Sequence, residues 1–205
     1  FIEVGWIFRF SAMPSMKWLW SKLVEDTNTA VGPHTSRPWP GLELSAEDYN
    51  TLACELALRR PADRKQIRSV QQSRITNADR LARFDYVWPA LSPDKNVRDS
   101  VFTSLLEPEN RATEPWTLES LRYLNHPLRQ QEALGYILPA LDEMQEIQRT
   151  GDIFFPKNWI VATLSGHDSS EAAALVRSWL EAHPDYPPLL LNKIRQASDP
   201  LLRKN

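Results

Sequence analysis

A chain of 205 residues, 42% hydrophobic and 24% charged, carries enough apolar mass for a sizeable core, which excludes wholesale disorder. A formal net charge of -2 and a pI near 6.1 remove any overall electrostatic drive toward nucleic acid or an anionic membrane, so contact with either would have to be local. The single cysteine, Cys54, excludes an internal disulfide and, among Leu52, Ala53, Leu56 and Ala57, reads as a small buried hydrophobe.

The opening Phe1 to Phe10 is apolar but carries Glu3 and Arg9. It is shorter than the ~20 residues of a membrane span and lacks the basic start of a secretory signal. Trp6, Phe8 and Phe10 alternate with Ile7 and Arg9, which predicts a strand-like or irregular segment. Met16 to Val24 fits a short helix, with Met16, Leu19, Trp20, Leu23 and Val24 on one face. Thr27 to Leu44 holds Gly32, Pro33, Pro38, Pro40 and Gly41 with little periodicity and reads as a linker. Residues 1–44 are therefore an N-terminal extension, and residues 45–205 a domain of helical repeats.

From Ser45 onward, helix starts are marked by caps or by proline in the first turn. Ser45 with Asp48 forms a variant capping box ahead of the stripe Tyr49, Leu52, Ala53, Leu56 and Ala57. Pro61 ends that helix. A weaker one carries Ile67 and Val70, and Asn77 caps the next, with Leu81, Phe84 and Trp88 before Pro89. Ser92-Pro93 opens a helix with Val97, Val101, Phe102 and Leu105 inward. Pro115 opens another, with Leu118, Leu121 and Leu124. Leu134, Ile137, Leu138, Leu141, Met144 and Gln145 keep helical spacing across Pro139, as one kinked helix or two. Gly151 sits where a helix end favours a left-handed residue, and Pro156 starts the helix through Trp159 to Gly166. Asp168 with Glu171 reads as a capping box before Ala172, Leu175, Val176, Trp179 and Leu180. Pro187-Pro188 begins the last helix, with Leu190, Leu191, Ile194 and Ala197 inward.

Short helices joined by short connections place neighbours antiparallel. The predicted fold is all-α: an α-α superhelix of stacked antiparallel helix pairs, a solenoid of the HEAT or armadillo kind, although no strict repeat shows in the sequence.

A hydrolytic zinc helix needs two histidines one turn apart with a glutamate beside the first. None of His34, His126, His167 and His183 is followed by Glu, and no two lie within four residues. The string Ser165-Gly166-His167-Asp168 gathers triad residue types in sequence, but triad members converge from separate elements, and a helix stop and cap account for it. Glycine-rich phosphate loops are absent from the sequence. The strongest charge feature is the basic run Arg59, Arg60, Arg64, Lys65, Arg68, Arg74, Arg80 and Arg83, with Asp63 and Asp79 as the acids inside it. It reads either as an anion-binding face or as a solvated surface paired with Glu107, Glu109, Glu114 and Glu119, and the second reading is favoured because charge runs usually solvate a helix.

Four blocks, RFDYVWPALSPD, PENRATEPWTLESLRYLNHPLR, EIQRTGDIFFPKNWIVATLSGH and PDYPPLLLNKIRQASDPLLR, resemble the C-terminal helical domain of bacterial zinc aminopeptidases of the aminopeptidase N type, in that family's order, across roughly Ser45 to Arg203. The resemblance implies a hydrolase whose preceding catalytic domain holds a His-Glu-x-x-His zinc site, a further glutamate ligand and a Gly-x-Met-Glu-Asn motif, none of which lies in this sequence. It assigns this chain no catalytic residue, metal ligand or cofactor. Zinc belongs to the parent catalytic domain, and the partners are that domain and peptide substrates. The implied role is a cap on the catalytic chamber that restricts access and retains the far ends of peptides. Carboxylate recognition needs Arg or Lys donors, and within the matching blocks the candidates for peptide-carboxylate or interdomain contact are Arg111, Arg129, Arg149 and Lys157. A place near a helix end, where a cation can satisfy backbone carbonyls, is the competing role for Arg111 and Arg149. The alternative function is a stand-alone solenoid scaffold for a protein or nucleic-acid partner.

Overall fold

The computed structural model describes residues 44–204. The strand-like opening, the helix over Met16 to Val24 and all but the end of the linker lie outside those residues. The chain divides into two compact units, Phe1–Asp85 and Tyr86–Asn205. Among the described residues the fold is all-helical, with no strand.

The first unit contributes α1 (Ala46–Arg59), a 3-10 turn at Pro61–Asp63, α2 (Arg64–Arg74) and most of α3 (Ala78–Val87). The Ser45 side chain accepts the Asp48 N–H while the Asp48 carboxylate accepts the Ser45 N–H at 2.8 Å, so two of the donors orphaned at the start of α1 are satisfied reciprocally. From α1, Leu52, Ala53, Cys54, Leu56 and Ala57 are buried; α2 packs against it and buries Ile67. Asn77 accepts the Arg80 N–H at 3.0 Å and caps α3, as its position predicts.

The second unit runs through a 3-10 turn at Trp88–Leu91, α4 (Lys95–Leu106), a 3-10 turn at Pro108–Arg111, α5 (Glu114–Leu124) and 3-10 turns at Pro127–Arg129 and Leu134–Tyr136. It then continues through α6 (Ile137–Asp142), α7 (Met144–Thr150), α8 (Phe155–Leu164), α9 (Ser170–Ala182) and α10 (Pro188–Lys204). At its centre, α8 packs on α5, α6, α7 and α10. It buries Phe155, Trp159, Ile160, Ala162 and Leu164, which is why its sequence is apolar nearly all round. Each large side chain fully buried there contributes about 1.5–3 kcal/mol of transfer free energy. The Trp159 indole N–H donates to the Ala140 carbonyl at 2.9 Å, so the largest apolar residue enters the core without an orphaned donor.

Three local expectations are corrected. The cap of α4 is Asp94, which accepts the Asn96 N–H at 2.9 Å, rather than the Ser92-Pro93 pair; Val97 faces solvent and Arg98 turns inward in its place. The run from Leu134 resolves into two helices, the second of the alternatives its spacing allows, with the break at Glu143. Pro139 is the third residue of α6, where a missing N–H costs no hydrogen bond. Ser169, not Asp168, caps α9 by accepting the Ala172 N–H at 3.2 Å, and Asp168 instead pairs with Lys204 at 2.6 Å.

Gly151 has φ -97 and ψ 175, an extended conformation that needs no glycine. Its requirement is space, because a Cβ there would lie 2.4 Å from Phe155 Cδ1. Gly166 is more tightly held: a Cβ would meet the Asn125 carbonyl oxygen at 1.6 Å, so the α8–α9 connection touches the end of α5 backbone to backbone. Replacing Gly166 with Ala forces those two segments apart. Chemical denaturation of the G166A variant should show a loss of about 2–3 kcal/mol; a loss under 0.5 kcal/mol, the range of a neutral surface change, would contradict this packing.

Candidate functional site

Two of the four predicted contact residues are built into the fold. Arg111 is 4% exposed: its Nη1 donates to the Leu105 and Leu106 carbonyls, at 2.9 and 2.7 Å, and its Nη2 pairs with Glu146. Those carbonyls end α4 and have no intrahelical partner, so the guanidinium does the work of a C-terminal cap while stacking 5.8 Å above the Trp159 ring. Arg129 donates to the Ala90 and Leu91 carbonyls at 3.0 and 2.9 Å, closing the end of the Trp88–Leu91 turn. Arg98, which hydrophobic periodicity passes over, completes the set. It is 2% exposed, donates to the Ser92 and Pro93 carbonyls at 2.7 and 2.8 Å, and pairs with Glu132.

Arg149 and Lys157 differ from these. Both are exposed, and neither makes a hydrogen bond or ion pair with the described residues. Arg149 lies in the last turn of α7 and Lys157 in the first turn of α8, on either side of the connection Gly151–Phe154. The connection is held from three directions. Asp152 Oδ1 accepts the Phe154 and Phe155 N–H groups at 2.6 and 2.8 Å, and the Asp152 N–H donates to Glu114 at 2.8 Å. From α10, Lys193 Nζ donates to Gln148 at 2.7 Å and to the Ile153 carbonyl at 3.4 Å. Phe155 goes into the core, whereas Ile153 at 72% and Phe154 at 68% exposure project outward. The result is a fixed apolar tip between two cations with open donors, an arrangement that can seat an apolar surface beside a carboxylate and offers no nucleophile, acid or base for bond cleavage.

The basic run finds nearby acids. Arg59 pairs with Glu55, Arg60 with Asp63 at 2.6 Å, Arg68 with Asp85 at 2.8 Å and Arg83 with Glu47 at 2.8 Å. Glu47 and Glu55 precede the run and Asp85 follows it, so a count of the acids inside the run misses them.

Of the histidines, His34 lies outside the described residues, His126 Nδ1 accepts the Leu128 N–H at 3.2 Å and His183 Nδ1 donates to the Trp179 carbonyl at 2.7 Å. His167 is 5% exposed, with Nε2 3.0 Å from Asn125 Oδ1. Asn125 uses its amide to donate to the Leu121 carbonyl, so its oxygen is an acceptor and His167 must carry its proton on Nε2. Nδ1 is then a buried lone pair without a partner. Among the described residues no three His, Cys, Asp or Glu side chains come together in a way that could hold a metal ion, and no helix is long and apolar enough to cross a membrane. No protein-family model, curated protein or solved structure matches this chain.

Removing Arg111 strands two carbonyls and the Glu146 carboxylate at once. Arg111→Ala should therefore cost about 3–5 kcal/mol in denaturant titration, the range for breaking a buried pair from one side; Arg149→Ala, which strands nothing, should stay within about 0.5 kcal/mol. Equal losses would show that the two arginines do not divide in this way. Burial lowers the His167 pKa from 6.5 to about 4, partly opposed by the neighbouring Asp168 carboxylate. Between those values the unfolded chain binds the proton that the folded chain refuses, so stability falls as pH drops from 6.5 to 4. His167→Gln should remove about 3 kcal/mol from that fall; wild-type and variant stability curves that stay parallel over the window would contradict a buried neutral imidazole.

Proposed function

We propose that this chain is the non-catalytic C-terminal helical domain of a zinc-dependent aminopeptidase of the aminopeptidase N type, with its helices stacked as antiparallel pairs of an α-α superhelix. In that reading it closes the catalytic chamber of the same polypeptide, limits access to peptides and holds their distal ends. Zinc and the bond-breaking groups belong to the preceding catalytic domain, and the parent enzyme releases N-terminal residues.

The observation that carries the reading is the corner from Glu146 to Trp159. The string that most closely resembles the family is also the place where the fold leaves two cations and two large apolar side chains unused. The fold accounts for its Gly151, Asp152 and Phe155 but gives no internal role to the side chains of Arg149, Ile153, Phe154 or Lys157. Contact with a neighbouring domain or with a peptide carboxylate gives these four side chains a purpose, with Arg149 and Lys157 as donors to the carboxylate.

The 205-residue chain alone should retain no stoichiometric zinc and hydrolyse no aminoacyl substrate, whereas the polypeptide of the full reading frame does both. Zinc-dependent activity in the isolated chain would sink the proposal. In the full polypeptide, Arg149→Ala with Lys157→Ala should lower kcat/KM for long peptides roughly tenfold, the effect of losing one charge-assisted hydrogen bond, and leave dipeptide analogues nearly unchanged. Equal losses on both substrate lengths would remove the peptide-holding role.

A further inference from the structure

The first unit contains a cavity of about 380 Å³ that the proposed peptidase role does not use. Its size falls within the range of small-molecule sites. Arg74, Arg80 and Arg83 line it together with Glu47, so cations outnumber the acid. The cations are held differently. Arg83 is tied to Glu47 by two hydrogen bonds of 2.8 and 3.1 Å, and the Arg74 guanidinium lies 4.4 Å from the centre of the Tyr49 ring. The Arg80 guanidinium has no partner among the described residues, and Arg80 stands in the first turn of α3, where the backbone presents its own positive end.

A second, independent feature points to a ligand. Gln71 also lines the cavity, is 1% exposed, and its side-chain oxygen accepts no hydrogen bond. A buried amide oxygen left in this state is destabilising, and a donor arriving in the cavity recovers that cost. Asn50, 9% exposed, is a second polar side chain on the wall. The occupant therefore has to bring an anionic group for Arg80 and a hydrogen-bond donor for Gln71. A bare carboxylate accepts only. A phosphate monoester of a polyhydroxy compound supplies both, with phosphoryl oxygens for the guanidinium and hydroxyls for the buried amides.

We propose that this cavity between α1, α2 and the start of α3 binds a small phosphate monoester bearing free hydroxyl groups, its phosphate on Arg80 and a hydroxyl on Gln71. Isothermal titration calorimetry of the 205-residue chain with ribose 5-phosphate, inorganic phosphate, ribose and acetate tests it. Ribose 5-phosphate should bind saturably at one site, inorganic phosphate at least fivefold more weakly, and ribose and acetate not at all over the same range. Arg80→Ala should weaken both phosphate ligands at least tenfold. Gln71→Leu, which fills the same space without a polar atom, should reduce ribose 5-phosphate to the affinity of inorganic phosphate and leave inorganic phosphate unchanged. Glu47→Gln takes the carboxylate away from Arg83 and should tighten both; a gain cannot come from misfolding. No saturable heat with either phosphate, acetate binding as tightly as phosphate, or an unchanged affinity in Arg80→Ala would each overturn the proposal.

Discussion

A fold assembled from short helices has many helix ends, and every C-terminal end leaves carbonyls that the helix itself cannot satisfy. Where those ends are buried, water cannot help, and a few arginines answer the need. Arg98 and Arg129 between them take the four consecutive carbonyls Ala90 to Pro93, and Arg111 takes the final two of α4. Burying a guanidinium is itself costly, and Arg98 and Arg111 each meet that cost with a glutamate about 35 residues further on, Glu132 and Glu146. Each of these two arginines thus ties a helix end to a later part of the second unit, and the core around Trp159 closes over one of them. Neutral caps could satisfy the carbonyls, but they could not make the long-range tie.

That constraint explains which parts of the fold were legible. Apolar spacing located α1, α5 and α9 because their buried faces are made largely of Leu, Ala, Val and Trp, the residues that periodicity counts, whereas Pro156 marked the start of α8. On α4 the same face passes through Arg98, which stands one turn before Phe102 and two before Leu105. A charged residue on a buried stripe is discarded by the pattern, so Val97 was turned inward in its place. The caps Ser45 and Asn77 were readable because an oxygen beside the first N–H groups is a local event. Gly151 and Gly166 were not, because what they accommodate is an atom from another turn or another helix, and no local rule reports a neighbour that is distant in the chain.

The candidate site divides along the same line. Arg111, Arg129, Arg149 and Lys157 look alike in sequence, each beside a proline or a helix end. What separates them is whether an orphaned carbonyl lies within reach, which depends on the packing of α4 and of the Trp88–Leu91 turn. Arg111 takes the role at a helix end, donating to the last two carbonyls of α4, whereas Arg149, which shared that alternative, donates to no carbonyl among the described residues. The basic run shows the converse. Its charge was plain in the sequence, but the cavity it lines depends on Gln71, a residue that no charge count would select.

The exposure of Phe154 follows from the geometry of the corner rather than from surplus hydrophobicity. Asp152 takes the N–H groups of both Phe154 and Phe155 on one oxygen, which fixes the turn into α8, and the absent side chain of Gly151 lets Phe155 close against the end of α7. With Phe155 committed to the core, the residue before it is driven outward together with Ile153, whose carbonyl is held by Lys193. Two large apolar side chains are thereby kept in water by a backbone that has no freedom to withdraw them. Their hydration is recovered only when something covers them, and with the open donors of Arg149 and Lys157 on either side, the cover proposed above is apolar at its centre and acidic at its edge.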